Sequence, residues 1–180
     1  MIFTETKLKG AYIIELNKIK DERGFFGRSW CKNEFTEHNL NANIVQTNTS
    51  FNKRKGTLRG LHFQRSPFAE TKLVKCTKGA IFDVIVDLRP ESPTFKQWLG
   101  VELTGENYKM LYIPERFAHG FITLEDNSEV NYLISEFYNP GVEGSIRWDD
   151  PEINIQWPIA MEEISDRDSK HVDFSKIILP

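Results

Sequence analysis

A histidine, a glutamine and two cations lie close together in a largely apolar part of the chain. The segment from Gly56 to Gln64 reads GTLRGLHFQ, and it contains Arg59 and His62. Lys72 follows after a short loop. Polar groups persist in apolar surroundings only when they are paired or functional. A base beside two positive charges in one pocket suits chemistry next to a carbonyl group.

The direction of these side chains depends on the strand that carries them. His62 and Gln64 share one face of a regular strand, whereas Arg59 formally faces the other way. A bulge or a twist at Gly60 would redirect Arg59. His62 alone would most often be a structural histidine, so its neighbours are what favour a functional site.

Three further side chains could take part in the same chemistry. His119 lies between a proline and a glycine, where a turn feeds a strand, and the alternative role is a turn-capping histidine. Tyr132 and Tyr138 have even spacing, which places both on one face of a regular strand. One phenol could donate a proton and one ring could stack on a flat ligand, or both could be core aromatics.

A carboxylate is needed to orient a catalytic histidine, and the chain offers several. Asp83 and Asp87 fall on one face of a strand, and Asp168 lies near the carboxyl end. Any of them could fill this role, since sequence spacing does not choose among them. The residue two positions after His62 is Gln64 rather than a second histidine, so we predict no metal site.

The elements that must carry these residues are short strands. Turn signals separate strand-like stretches at residues 11–16, 44–51, 57–64, 72–77, 80–88, 98–103, 108–113, 120–124 and 129–137. Residues 32–38 are expected to form a helix and residues 165–168 a short turn. Short strands at roughly even spacing are typical of an all-β sandwich or barrel.

Composition limits the class of protein. The chain has 180 residues, which suits a single domain over residues 1–180, and its formal net charge is −3 without a basic face for nucleic acid. No apolar run is long enough to cross a membrane. Two cysteines and a mixed, charged amino terminus indicate a cytoplasmic protein. Nucleophile elbow, phosphate loop and dinucleotide motifs are absent, so hydrolases, kinases and dehydrogenases lose their usual support.

Nearly the whole chain resembles the dTDP-4-dehydrorhamnose 3,5-epimerase family. The similar motifs follow the family's order: DERGFF (21–26), QTNTS (46–50), LRGLHFQ (58–64), KLV (72–74), FDVIVDLR (82–89), SPT (92–94), PERFAHGF (114–121) and RWDDP (147–151). The resemblance implies a cupin-type double-stranded jelly-roll barrel with short helical additions. It also implies a homodimer without cofactor or metal that epimerises a nucleotide-linked 4-keto sugar.

The resemblance also implies roles for individual residues. His62 is similar to the family's base, Asp168 to its partner, Tyr132 to the acid on the opposite face, and Lys72 to the group that stabilises the enolate. Tyr138 is similar to the ring that stacks on the nucleobase. The implied substrate or nucleotide contacts are Arg23, Gln46, Asn48, Arg59, His119, Glu143 and Arg167.

Two departures concern the ligand rather than the chemistry. Arg28 stands where the family usually has a substrate-contacting glutamate, and Thr47 stands where it often has aspartate. We expect Arg28 to contact the ligand, with a different base or sugar as one consequence. The alternatives are inversion at one centre only, another nucleotide-linked keto sugar, a 3,4-ketoisomerase, or a non-catalytic sugar-binding cupin.

Overall fold

A computed structural model describes residues 1–180 as an antiparallel double-sheet fold. The strands are β1 (Ile2–Glu5), β2 (Tyr12–Glu15), β3 (Ile19–Asp21), β4 (Gly24–Phe26), β5 (Gln46–Asn52), β6 (Thr57–Gln64), β7 (Lys72–Lys78), β8 (Ala80–Asp87), β9 (Trp98–Thr104), β10 (Met110–Ile113), β11 (Phe117–Thr123), β12 (Ser128–Ile134), β13 (Glu143–Ser145) and β14 (Glu163–Ile164). One helix, α1 (Lys32–Glu37), and two 3₁₀ turns complete the chain. No helix is both long and apolar enough to span a membrane.

Two sheets face each other and form the barrel. One has the order β1-β2-β10-β7-β12-β5, and the other has the order β13-β6-β11-β8-β9, with β14 added beside β6. The paired strands are antiparallel except β14, which runs parallel to β6. The mixture of sequential and distant neighbours agrees with the predicted all-β jelly roll.

Alternation along the strands builds a core between the sheets. Val74 of β7 and Val130 of β12 pack from the first sheet, and Ile85 of β8 and Phe121 of β11 pack from the second. The outer face of the second sheet is also covered, by residues of the carboxyl-terminal segment such as Phe174. Helix α1 covers the outer face of the first sheet through Phe35. Polar side chains on the inner strand faces are therefore enclosed by apolar layers.

A bulge in β6 gives Arg59 its direction. His119 is opposite His62 and Phe121 is opposite Arg59, so two residues of β6 stand against one of β11. Arg59 and His62 therefore share the inner face although they are three positions apart. A side chain at Gly60 would place its Cβ 2.6 Å from the Cα of Gly120. The predicted bulge at Gly60 is confirmed, and the close approach of β11 requires glycine there.

The nine predicted strands are all present, eight of them with shifted ends, and two of the shifts matter for the site. Strand β11 begins at Phe117 rather than at residue 120, so His119 is inside a strand and the expected turn position is wrong. Strand β12 ends at Ile134, so Tyr138 is not on that strand. The prediction that Tyr132 and Tyr138 share one strand face is wrong. The hairpin β3–β4 and strands β1, β13 and β14 were not predicted, and all of them except the four-residue β1 have only two or three residues.

Candidate active site

A pocket of about 610 Å³ lies between the two sheets. Eleven of the thirteen predicted site residues line it: Gln46, Asn48, Arg59, His62, Lys72, His119, Tyr132, Tyr138, Glu143, Arg167 and Asp168. They come from strands of both sheets, from the loop between β12 and β13, and from the segment after β14. The fold therefore brings residues that are far apart in the sequence together around one cavity.

Strand register explains how the inner faces supply these groups. Asn48 of β5 is opposite Tyr132 of β12, and Gln46 is opposite Ile134. Lys72 of β7 is opposite Ile134 from the other side. Residues directly opposite each other point to the same face of a sheet. The amides, the phenol and the ammonium group therefore enter the pocket from the first sheet.

His62 enters the pocket from the second sheet and is held by Asp168. The Nε2 atom of His62 lies 2.9 Å from Oδ1 of Asp168, and the backbone N–H of Gly60 donates to Oδ2 of Asp168 at 3.1 Å. Burial alone would raise the pKa of Asp168, but the contacts with His62 and Gly60 outweigh it and the pKa is lowered. Asp168 is therefore an anion at neutral pH, and it favours a proton on Nε2 of His62. The Nδ1 atom of that ring remains as the basic nitrogen.

His119 forms a second and more deeply buried pair with Asp83. Its Nε2 lies 2.7 Å from Oδ1 of Asp83, and the side chains are 6% and 0% exposed. The other oxygen of Asp83 is buried without a hydrogen-bond partner. Asp87, which shares the strand face with Asp83, instead binds Arg89, Ser92 and Thr94 outside the pocket. The structure thus assigns a different carboxylate to each histidine.

Tyr132 lies across the pocket from His62, on the opposite sheet. Its ring centroid is 6.1 Å from that of His119 and 6.5 Å from that of Phe121. Burial, followed by the nearby charge of Asp83, raises the pKa of the Tyr132 phenol. The phenol therefore keeps its proton at neutral pH and can act as a proton donor.

Three residues at the edge of the pocket form a hydrogen-bonded group. The hydroxyl of Tyr138 donates to Oε2 of Glu143 at 2.9 Å, and Arg167 forms an ion pair with the same carboxylate. The Tyr138 ring is 54% exposed, so one face is available for stacking. Gln64 fixes the adjacent loop, since its amide donates to the carbonyls of Phe68 and Phe137.

The geometry can be compared with known proteins. A sequence model of the family described as dTDP-4-dehydrorhamnose 3,5-epimerase matches residues 5–176. The chain belongs to this family. The protein is accordingly an isomerase, an epimerase that acts on carbohydrates, and the predicted family and enzyme class are confirmed.

Individual members of the family are similar over almost their whole length. The dTDP-4-dehydrorhamnose 3,5-epimerase of Salmonella typhimurium is 47% identical over 94% of this chain and 93% of its own. The dTDP-6-deoxy-D-glucose-3,5-epimerase of Legionella pneumophila, solved with dTDP-4-keto-L-rhamnose, has a TM-score of 0.92 and 38% identity, covering 99% of this chain and 97% of its own. The predicted cupin-type jelly roll is confirmed by such structural neighbours.

A neighbour with a narrower activity has the same fold. ChmJ of Streptomyces bikiniensis, a 3'-monoepimerase solved with dTDP-quinovose, has a TM-score of 0.87 and 30% identity, covering 94% of this chain and 86% of its own. The fold of this family therefore accommodates epimerases that differ in the number of centres inverted.

Two residues that are predicted to contact the ligand lie outside the pocket. Arg23, in the hairpin β3–β4, pairs with Asp21 at 2.6 Å, and its side chain is 89% exposed. Arg28 pairs with Glu34 of helix α1 at 2.9 Å. The structure does not bring them to the other eleven residues, and their contact with substrate stays a prediction.

Lys72 has an acidic neighbour that the sequence pattern does not indicate. The ammonium group of Lys72 lies 3.0 Å from Oε1 of Glu70, and the two side chains are 14% and 7% exposed. Glu70 also lines the pocket. It is two positions from Lys72 in an irregular segment, where strand alternation gives no signal for its direction.

His171 was also missed, and it completes a set of possible metal ligands. Its Nε2 is 3.4 Å from Oδ1 of Asp168, and the ligand atoms of His62, Asp168 and His171 all lie within 4.8 Å of one another. The rings of His62 and His171 meet edge to face, with centroids 5.1 Å apart. The sequence gives no signal for this contact, because the two histidines are separated by more than a hundred residues.

Proposed function

We propose that the enzyme inverts C3 and C5 of dTDP-4-keto-6-deoxy-D-glucose and produces dTDP-4-keto-L-rhamnose. One observation carries this proposal: a histidine–carboxylate pair and a protonated phenol approach the same pocket from opposite sheets. Inversion of a carbon centre requires removal of a proton from one face and its return to the other. A base and an acid on the two walls of one cavity suit that requirement.

His62 is the proposed base. The C4 ketone acidifies the hydrogens at C3 and C5, and a neutral imidazole can accept one of them. Asp168 accepts the proton of Nε2, so Nδ1 is the atom that receives the substrate proton. The new positive charge on the ring is stabilised by the Asp168 anion. A positioned base of this kind contributes about 10²–10⁴-fold in rate.

Lys72 is proposed to stabilise the enolate. When the proton leaves the carbon, its bonding electrons move toward the C4 oxygen, which becomes negatively charged. The Lys72 ammonium group is 14% exposed, and a charge interaction is stronger where water is excluded. Glu70 holds that ammonium group in place within the pocket.

Tyr132 is the proposed acid. Its O–H donates a proton to the carbon from the face opposite His62, and the electrons of the enolate form the new C–H bond. The raised pKa of the phenol keeps it protonated before the reaction. Exchange with solvent then returns a proton to Tyr132 and removes one from His62.

The remaining pocket residues are proposed to bind the nucleotide sugar. Tyr138 offers an exposed ring on which the nucleobase can stack, and Arg167 offers a guanidinium group for the diphosphate. Gln46, Asn48, Arg59 and His119 are the other proposed contacts, with Arg23 and Arg28 from the segment outside the pocket. The Legionella relative with dTDP-4-keto-L-rhamnose bound supports a ligand of this class.

We also propose that the protein is a cytoplasmic homodimer. Large apolar side chains remain exposed in the hairpin β3–β4, where Ile19 is 67% and Phe26 is 71% exposed. Such side chains are usual at subunit interfaces. The two cysteines are free thiols, which agrees with a reducing compartment.

A second candidate is inversion at a single centre. The 3'-monoepimerase ChmJ favours it, since that enzyme has the same fold at 30% identity. The choice depends on how the sugar ring presents its two acidic carbons to His62 and Tyr132.

Incubation with dTDP-4-keto-6-deoxy-D-glucose in deuterated water, followed by NMR, tests the proposal. We expect deuterium at both C3 and C5 together with formation of the L-rhamno product. Deuterium at one centre would establish the second candidate. A folded enzyme that exchanges neither position of this substrate would contradict both.

A further inference from the structure

His171 is a buried imidazole beside the His62–Asp168 pair. Its side chain is 6% exposed. Its Nε2 lies 3.4 Å from Oδ1 of Asp168, an oxygen that His62 already contacts at 2.9 Å. The His171 ring therefore faces the same carboxylate oxygen as His62. The proposed epimerase chemistry makes no use of His171.

The three side chains form a donor set that suits a transition metal. Two imidazole nitrogens and one carboxylate oxygen lie within 4.8 Å of one another. Imidazole and carboxylate are the usual ligands of zinc where three protein groups and one open position are present. Asp168 supplies the one carboxylate among the three ligands.

Two of the three separations among the ligand atoms are close to those of a zinc site, and the two histidine nitrogens must approach each other. Zinc binds nitrogen and oxygen at about 2.0–2.2 Å, so ligand atoms of a tetrahedral site are about 3.3 Å apart. The separations of 2.9 Å and 3.4 Å from Oδ1 of Asp168 bracket that value. The side chain of His62 is 31% exposed and lines the pocket, so a path for the ion and a place for a water ligand exist there.

We propose that Nε2 of His62, Oδ1 of Asp168 and Nε2 of His171 bind one Zn²⁺ ion, and that this ion inhibits the enzyme. Zinc on Nε2 of His62 takes the position of the proton that Asp168 accepts. That proton moves to Nδ1, because a neutral imidazole carries one proton on the nitrogen that is not bound to metal. Nδ1 then has no free electron pair, and the base is lost without any redox change.

Isothermal titration with Zn²⁺ on the metal-free protein tests the site. We expect one ion per chain, and His171→Gln should weaken its affinity at least about tenfold, since changes at the ligand shell commonly cost 10–100-fold. His38→Gln is the matched control. His38 is an exposed histidine at the end of helix α1, where its ring stacks on Phe3. Wild-type protein that binds zinc no tighter than His171→Gln would overturn the site.

A measurement on the unaltered protein guards against misfolding of the variant. Imidazole ¹⁵N resonances should show zinc-dependent shifts at the Nε2 atoms of His62 and His171, with no shift at His38. The affinity should also fall as pH decreases, because protons compete for the imidazole nitrogens. Shifts at His38 alone would show a surface ion and would overturn the proposal.

The inhibitory effect rests on the proposed role of His62 as the base. Zinc at saturating concentration should abolish deuterium exchange into the sugar, and a chelator should restore it. Zinc bound at His62 and His171 without loss of exchange would leave the site intact but would contradict Nδ1 as the base. Absence of binding would refute the site and leave the proposed function untouched.

Discussion

Two histidines of the pocket each contact a carboxylate, but the pairs differ in burial and in origin. His119 and Asp83 lie on adjacent strands of one sheet and are 6% and 0% exposed. His62 is 31% exposed, and its partner Asp168 comes from the segment after β14, 106 residues away. Both contacts are short, at 2.7 Å and 2.9 Å.

The difference shows that the hydrogen bond does not by itself make a base. A proton acceptor must reach the substrate and must exchange its proton with water, and only His62 has substantial exposure toward the pocket. His119 is enclosed by both sheets, which suits a fixed hydrogen-bonding group. Closure of the carboxyl-terminal segment over β6 supplies Asp168 without burying His62 completely.

Replacement of each histidine should give the largest contrast. In His62→Asn we expect deuterium exchange at both sugar carbons to fall by about 10²–10⁴-fold or more, because the base is gone. In His119→Asn we expect weaker binding of the nucleotide sugar with a smaller loss of turnover, since the proposed role is contact. Steady-state kinetics combined with NMR exchange measures both.

His38→Asn serves as the control for a histidine replaced outside the pocket. Nucleotide binding by His62→Asn should remain, which separates loss of the base from loss of the site. Equal losses of turnover in His62→Asn and His119→Asn would remove the functional distinction between the two pairs.

Double-mutant cycles on unfolding should give a smaller contrast. Coupling between contacting residues is typically about 0.5–3 kcal/mol, and we expect the His119–Asp83 pair near the upper end. Water can replace Asp168 as the partner of the more exposed His62, so that pair should couple more weakly. Alanine variants of all four residues, unfolded in urea, supply both values.

The order of the two coupling energies decides whether burial controls this difference. A larger coupling for His62–Asp168 than for His119–Asp83 would show that the contacts of the carboxyl-terminal segment, rather than enclosure by the sheets, dominate.

Asp87 is a buried carboxylate whose partners do not include a histidine. Burial would raise its pKa, but Arg89, Ser92 and Thr94 outweigh burial, and the pKa is lowered from the ordinary value of 3.8. The unfolded chain therefore binds a proton on Asp87 more readily than the folded chain does. The contribution of Asp87 to the free energy of unfolding is present above about pH 4 and is lost as the pH falls below that value.

Asp87→Asn should therefore be less stable at neutral pH and should lose less additional stability between pH 4 and pH 2 than the unaltered protein. Urea unfolding at a series of pH values measures the slope. An unchanged slope would indicate that Asp87 does not contribute to acid unfolding, and this is the smallest of the three effects.

The longer strands of the two sheets were the easiest part to predict. Strand β6 was predicted with its observed limits, and β7, β8 and β9 with ends one residue away. Tyr138 was misplaced because the even spacing continues past Ile134, where β12 stops and the chain turns. Strands of two or three residues, such as β13, are too short for a periodic pattern to be recognised.

The site was predicted where its residues belong to long strands or to family motifs. Glu70 and His171 were missed because neither lies on a strand and neither belongs to a motif. Arg23 belongs to such a motif and Arg28 follows it, but they lie in a hairpin and a connection that do not approach the pocket of the same chain.

The sequence by itself determined the all-β class, the inner-facing polar residues of the main strands and the family. These properties depend on residue type and on a two-residue period, which are local. The tertiary structure decided that Arg59 faces inward, because a bulge interrupts that period at Gly60. It also decided that Asp168 serves His62 and Asp83 serves His119, and that His171 joins the first pair. Contacts between residues far apart in the chain depend on how the sheets and the carboxyl-terminal segment close, and no local pattern encodes that closure.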